Sequence, residues 1–261
     1  MDALEILFED DFLVAVLKPS GVATHQGEGH EQDNLLTRLR AQLRARGEAD
    51  TEQIAPVHRL DRGTSGIVVF GRAPVVVKAF HDALEKGQVR RRYLALVQGV
   101  AHRKGTIRVP LSRHEARGRR APRGRAAKAP PGKVAADAGD MQEAETRYRR
   151  LLYTRAATLL RVSPRTGRPH QIRRHLKGIG HPIAGDDRWG DVGFNRWIAG
   201  QHGLDRLFLH ATSLTFPHPI SGAPVTLECP LPKDLQAVLD SLEFPPLESA
   251  ESDPPDPPGS P

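Results

Sequence analysis

The sequence predicts an α+β fold. Two observations carry that expectation. Short apolar runs of strand type recur along the chain, several of them joined in hairpins. A few segments with apolar residues at helical spacing stand between them. Many strands in hairpins with helices interspersed indicate α+β. The 261 residues suit one large or two small domains, and 38% hydrophobic residues suffice for a core in part of the chain.

Residues 4–8 and 12–17 read as two strands joined by the acidic turn Glu9-Asp10-Asp11. Lys18-Pro19-Ser20-Gly21 ends the second strand. Gly27 and Gly29 follow, but Gln32 stands where a dinucleotide fingerprint needs its third glycine, which excludes a phosphate cradle. Asp33 is expected to cap a helix whose stripe is Leu35, Leu36, Leu39 and Leu43, closed by Gly47. Residues 67–70 read as a buried strand. Pro74 opens a second helix running to Lys86, with Val76, Phe80 and Leu84 inward and Gly87 at its end. Residues 88–97 read as a strand, with Val89, Arg91, Tyr93, Ala95 and Val97 on one face.

Residues 113–142 are rich in Arg, Ala, Pro and Gly and show no apolar period, so they are expected to form a disordered basic insertion. Strands resume over 145–153 and 157–162. Residues 170–177 read as a short helix and 189–197 as irregular. Residues 207–216 and 224–229 read as strands, and 234–242 as a last amphipathic helix. From Phe244 the chain turns Pro-rich and acidic and is expected to be disordered. The expected organisation is one domain over 1–243, interrupted at about 113–142, and a tail over 244–261.

Cys229 is the one cysteine, so no disulfide framework exists within the chain, which fits a cytoplasmic protein. No apolar run approaches the roughly 20 residues of a membrane span. The first residues lack the basic-then-apolar layout of a signal peptide. A formal charge of +7 and a pI near 9.9 point to a polyanionic partner, nucleic acid being the commonest. Yet between Arg113 and Lys133 stand eight Arg and Lys against Glu115, which already gives +7. The remainder sums to zero, so local motifs must carry the argument. Arg38, Arg40, Arg44 and Arg46 on the first helix read as a solvated face, with a nucleic-acid contact as the other reading. His170 and His175 lie five apart, which does not set two ligands on one helix face, so no metal site is expected.

The nonapeptide His58-Arg59-Leu60-Asp61-Arg62-Gly63-Thr64-Ser65-Gly66 stands out. It is a loop feeding a strand, with one acid between two arginines. Cations favour the charged form of a neighbouring carboxyl, so Asp61 suits a nucleophile or base better than a general acid. The glycines permit tight turning and close backbone approach.

This string resembles the catalytic loop of the RluA-type pseudouridine synthases. Three further stretches match that family in order. They are Lys18-Pro19-Ser20-Gly21, the strand Arg92-Tyr93-Leu94-Ala95-Leu96-Val97, and the block from Thr166 through His170-Gln171-Ile172-Arg173-Arg174-His175 to Gly185-Asp186. The resemblance spans residues 3–243. It implies a mixed, mostly antiparallel central sheet with flanking helices and a catalytic cleft. It also implies isomerisation of a uridine in RNA with no cofactor and no metal.

By the same resemblance, Asp61 is the essential carboxylate and Arg173 the arginine that pairs with it. Tyr93 is the tyrosine that stacks on the flipped base. Arg59 is the residue that fills the gap left by the flipped nucleotide, and Arg168 and His170 are candidate phosphate contacts. The stretches 164–175 and 189–207 look closest to the branch that modifies uridine 65 in the acceptor–T arm of tRNA. Pro169, between the arginine and the histidine, departs from that pattern. The expected partner is therefore tRNA, with ribosomal RNA second, and the expected enzyme is a monomer with no obligate protein partner. The chain begins at the catalytic domain, with no expected room for the small RNA-binding domain of some relatives. A non-catalytic RNA-binding protein would lack Asp61, Tyr93 or Arg173, and all three are present. A kinase is excluded because Leu60 interrupts the His-Arg-Asp order and no Asp-Phe-Gly occurs.

Overall fold

The computed structural model describes residues 3–26, 33–112 and 141–244. In chain order it contains β1 (Ile6–Glu9), β2 (Leu13–Lys18), α1 (Leu35–Ala45), β3 (Ala55–Pro56), β4 (Ser65–Gly71), α2 (Pro74–Glu85), β5 (Arg90–Gln98) and β6 (Lys104–Arg108). There follow β7 (Leu111–Ser112), β8 (Met141–Gln142), β9 (Glu145–Tyr153), β10 (Ala157–Pro164), α3 (Gln171–Gly178), α4 (Val192–His202), β11 (Leu209–Pro217), β12 (Pro224–Glu228) and α5 (Lys233–Ser241).

One large sheet runs β1-β2-β4-β11-β5-β10-β9-β6, with β12 beside β11 and β3 beside β4. Its pairings are antiparallel except β4 with β11, so the expected α+β architecture with a mixed, mostly antiparallel sheet is present. Strand alternation sends residues to two faces. On one face Val14, Val16, Val68 and Phe70 pack against Leu35, Leu39 and Leu43 of α1, while Leu160 and Val162 meet Ile172 and Leu176 of α3. On the other, Leu13, Ala15, Ile67 and Val69 pack with Val76 and Phe80 of α2. Further along that side, Leu96 and Leu159 lie with Phe194 and Ile198 of α4 and Leu235 and Val238 of α5.

Several expectations need correction. The cap of α1 is Asn34, whose side chain accepts the Thr37 N–H while the Thr37 hydroxyl accepts the Asn34 N–H. Asp33 instead binds Arg38 with two bonds of 2.6 Å. Leu84 packs inward on α2 as expected but is only partly buried, and Ala83 beside it is the third fully buried residue. Residues 189–197 are not irregular. Asp191 caps α4 by accepting the Phe194 N–H, and Gly193 and Gly200 within the helix had weakened its signature. The short strands β3, β6, β7 and β8 were not anticipated. Met141 and Gln142 belong to β8, so the expected insertion ends before them. Phe244 packs against the α4–α5 cluster, so the tail starts after it. The expected disorder of 113–140 and of 245–261 lies outside the described residues.

The arginines of α1 face acids. Arg38 pairs with Asp33, Arg40 and Arg44 with Glu52, and Arg46 with Glu9. That arrangement fits the solvated-face reading. No helix among the described residues is long and apolar enough to cross a membrane.

Candidate active site

Asp61 sits four residues before β4, in a loop fixed from behind by the Lys18-Pro19-Ser20-Gly21 stretch. The Lys18 ammonium, fully buried, donates to the carbonyls of Pro19, Val22 and Arg62 at 2.9, 2.6 and 3.1 Å. Ser20 donates to the Gly63 carbonyl at 2.8 Å, and the Gly21 N–H to that of Arg62 at 2.9 Å. Thr24 bonds both the N–H and the carbonyl of Leu60. Burial pushes Lys18 down to about 7, against the pull of the nearby Asp61 carboxylate.

The far end of the loop is fixed to β11. Gly66 has φ of +124°, and a Cβ there would meet the Ala211 carbonyl at 2.3 Å, so only glycine lets the two strands approach. Ser65 donates to His210 Nδ1 at 2.9 Å and accepts from Arg206 at 3.1 Å. The other His210 nitrogen donates to the Pro230 carbonyl. Burial and the Arg206 charge hold His210 down to about 4. His58 stacks on Phe80, and its Nε2 accepts the Val69 N–H. Burial, then Arg91, pushes it down to about 3. Both rings are neutral parts of the frame.

Arg173 comes from the first turn of α3 and is buried. Its guanidinium makes two bonds of 2.7 Å to Asp186 and reaches Asp61 Oδ2 at 3.3 Å. Burial opposes the charge of Arg173, but Asp186 and then Asp61 outweigh it and raise its pKa. Burial likewise opposes the Asp186 charge; Arg173 and the N–H groups of Trp189 and Arg188 overcome it and lower its pKa. Asp186 was missed as a site residue, although it lies in the motif that carries Arg173. A buried arginine needs a buried acid, and that rule could have found it. Gly185 and Asn195 hold its backbone: Gly185 N–H donates to Asn195 Oδ1, and Asn195 Nδ2 to the Asp186 carbonyl.

Tyr93 lies on β5 between Val162 and Ala211, buried in the core cluster. Burial raises its pKa and the charge of Asp61 adds to that, so the phenol is neutral beside the carboxylate. His170 takes a left-handed conformation, φ 52°, just ahead of α3. Its Nδ1 accepts the indole N–H of Trp189 at 3.1 Å. Burial, Arg173 and Arg188 lower its pKa, against Asp61 and Asp186. Arg174, Lys177 and Arg188 surround the Trp189 ring.

The structure thus gathers Asp61, Arg173, Tyr93 and His170. Arg59 is exposed and its charge acts on His25, after burial, to lower that ring's pKa. Arg168 stands at the margin, its Nε donating to the Glu143 carbonyl at 3.0 Å. His175 bonds Thr146 and the Val109 carbonyl, away from His170. No group of three metal-binding side chains occurs among the described residues.

The chain is similar to known RNA pseudouridine synthases. A ribosomal large subunit pseudouridine synthase C of Escherichia coli (strain K12) is 38% identical over 241 residues, 91% of this chain and 69% of that protein. A tRNA pseudouridine synthase C of Haemophilus influenzae is 33% identical over 252 residues, 92% of this chain and 98% of that protein. The solved structure of human RNA Pseudouridylate Synthase Domain Containing 4 superposes with a TM-score of 0.71 at 26% identity, over 92% of this chain and 94% of that one. The family model described as RNA pseudouridylate synthase matches residues 12–177, a stretch that holds the Asp61 loop, Tyr93 and Arg173. With both chain relatives and that model in agreement, the chain belongs to the RNA pseudouridylate synthase family.

Proposed function

We propose that this enzyme isomerises a uridine of tRNA in the acceptor–T arm, at position 65. Asp61 is the essential carboxylate, Arg173 its partner, and Tyr93 the stacking group. The observation that carries this reading is the buried Arg173 guanidinium spanning Asp186 and Asp61. It fixes a carboxylate at the mouth of a loop that is otherwise rigidly framed.

Pseudouridylation breaks the N1–C1′ bond and forms a C5–C1′ bond. The proton on C5 leaves and N1 ends protonated, so nothing is gained or lost. The uridine must first leave its helix, at a cost of a few kcal/mol. Exposed Arg59 fills the vacated place. Asp61 acts at the sugar and base, and the neutral Tyr93 stacks on the freed uracil and assists a proton step. Arg168 and His170 line the approach of the backbone.

Two features support tRNA. The region from Trp189 to Leu207 resembles the tRNA-65 branch, and here it forms α4, which holds Asp186 through Asn195. The alignment also takes in 98% of the Haemophilus influenzae tRNA enzyme. The higher identity to the ribosomal relative, 38%, favours a second reading, a ribosomal RNA substrate. Single-turnover modification of an unmodified tRNA transcript and of ribosomal stem-loops distinguishes them. The tRNA is expected to react faster by at least about tenfold, and the reverse preference overturns the substrate assignment.

A further inference from the structure

We propose that Arg206 is a positioning residue for the reaction, which ties the Asp61 loop and the Asp186 segment to one support so that Arg173 reaches both acids. The proposal rests on the functional reading above and adds to it a residue that acts through others.

Arg206 lies in the stretch between α4 and β11, and its main chain backs the Asp186 segment. Gly185, just before Asp186, has φ of +72°, and a Cβ there would run into the Arg206 carbonyl. Only glycine lets the two segments lie this close. The Phe208 N–H donates to the Ala184 carbonyl at 2.9 Å, which fixes the same approach further along. Leu96 of β5 bonds both segments. Its carbonyl accepts the Ala184 N–H at 2.8 Å, and its N–H donates to the Phe208 carbonyl at 3.3 Å. Asp186 is thus set against the chain around Arg206, and both against the strand that carries Tyr93.

The side chain of Arg206 reaches the loop of the other acid. Its Nη1 donates to Ser65 Oγ at 3.1 Å, across 141 residues of sequence. Ser65 is buried and follows Asp61 by four positions. Leu207 adds to the same junction, with its side chain against Gly63 of the loop. Nε and Nη2 of Arg206 bind the two oxygens of Asp234 in the first turn of α5. A paired fork of this kind fixes the plane of a guanidinium, so Nη1 meets Ser65 from a set direction. The Arg206 side chain is only 15% exposed. Its charge acts on Lys18 beneath the loop and on His210 behind Ser65. Arg206 therefore holds one partner of Arg173 by its main chain and the loop of the other by its side chain. The contact of Arg173 with Asp61, at 3.3 Å, is the looser of the two, so it is the one that widens when this support is lost.

The test uses the full chain carrying Arg206→Gln, Ser65→Ala or both, with an unmodified tRNA transcript and a ribosomal stem-loop as probes. RNA affinity, the single-turnover rate at saturating RNA and the urea midpoint are measured for each. A reacting group displaced by about 1 Å can cost about a hundredfold in rate, and loss of one tie should cost about tenfold in either single variant. RNA affinity should stay near wild type. The double variant should be no slower than the slower single, because both changes remove the same contact. A bracket that serves stability alone would lower the urea midpoint and leave the rate of the folded fraction unchanged, and that result overturns the proposal. So do losses that multiply in the double variant. If Arg206→Gln does not fold, Ser65→Ala, which keeps the Arg206–Asp234 pair, is read alone. A slower saturated rate at wild-type affinity then supports the proposal, and a wild-type rate overturns it. Wild-type turnover by Asp61→Asn would sink the functional reading, whereas wild-type rates in both single variants sink this proposal alone. A wild-type chain that forms no pseudouridine on either RNA sinks both.

Discussion

Arg173 binds Asp186 with two bonds of 2.7 Å and touches Asp61 at 3.3 Å, so its stronger partner is the acid outside the loop before β4. The Asp186 side chain is fully buried and that of Arg173 nearly so. Asp186 thus carries the burden of keeping a guanidinium in the interior, and Asp61 is left as the more loosely held acid of the three.

Asp186→Ala should therefore be costly twice over. It leaves a buried arginine without its main partner, at about 3–5 kcal/mol of stability. It also lets Arg173 swing fully onto Asp61 or away from it. Urea unfolding should show the loss, and turnover should drop in the fraction that remains folded. A variant of wild-type stability would show that Asp186 does not anchor Arg173.

Asp61→Asn should behave differently. Arg173 keeps Asp186, so stability should change by less than about 1 kcal/mol. Pseudouridine formation should vanish while RNA affinity stays near wild type. Measurable turnover by the purified variant removes Asp61 from the chemistry.

Acid should weaken the fold through His58 and His210. Their folded values, about 3 and about 4, lie below the ordinary 6.5. Between those limits the unfolded chain binds the extra protons, so this stability is complete above about pH 6.5 and is lost as pH falls. Urea midpoints should show no loss from these two groups between pH 7.5 and about 6.5, and should fall from there to pH 5. His210→Gln, which can still accept from Ser65 and donate to Pro230, should flatten part of that fall; an identical slope would count against His210.

Trp189→Phe removes the indole N–H that His170 Nδ1 accepts. That bond forms only while Nδ1 is unprotonated, so its loss should raise the His170 pKa. Histidine resonances followed by NMR across pH test this directly. A titration identical to wild type would mean the indole bond does not govern the ring.

Much of the fold was legible because the apolar periods are clean. The leucines of α1, the run Ile67–Phe70 and the alternation around Tyr93 all appear where sequence spacing set them. The loop holding Asp61 and the helix holding Arg173 were also legible, through short motifs. What escaped depended on which side chains the fold buries together. Asp186 stands in the motif that carries Arg173, but the need for it follows only once Arg173 is known to be buried, and no sequence pattern marks Trp189 as the donor to His170. The α4 helix was hidden because its glycines lower helix propensity while its stability comes from packing Phe194 and Ile198 against β-strand residues. The cap of α1 shifted by one residue because Asp33 and Asn34 both qualify and only the backbone geometry chooses.

The sheet order has a consequence for how the protein is made. β11 lies between β4 and β5 and pairs with both, although it is nearly the last strand of the chain. Before it is synthesised, β1 to β4 can form one small sheet and β5 to β10 another, with no ladder joining them. Each piece then presents an unpaired edge, which is a template for association with other chains. Insertion of β11 covers both edges and brings the Asp61 loop alongside Tyr93. Until that strand is in place, no ladder holds the Asp61 loop and Tyr93 together. Distant pairings must wait for loop closure, so the arrival of this single late strand is the step expected to be slow and exposed to aggregation.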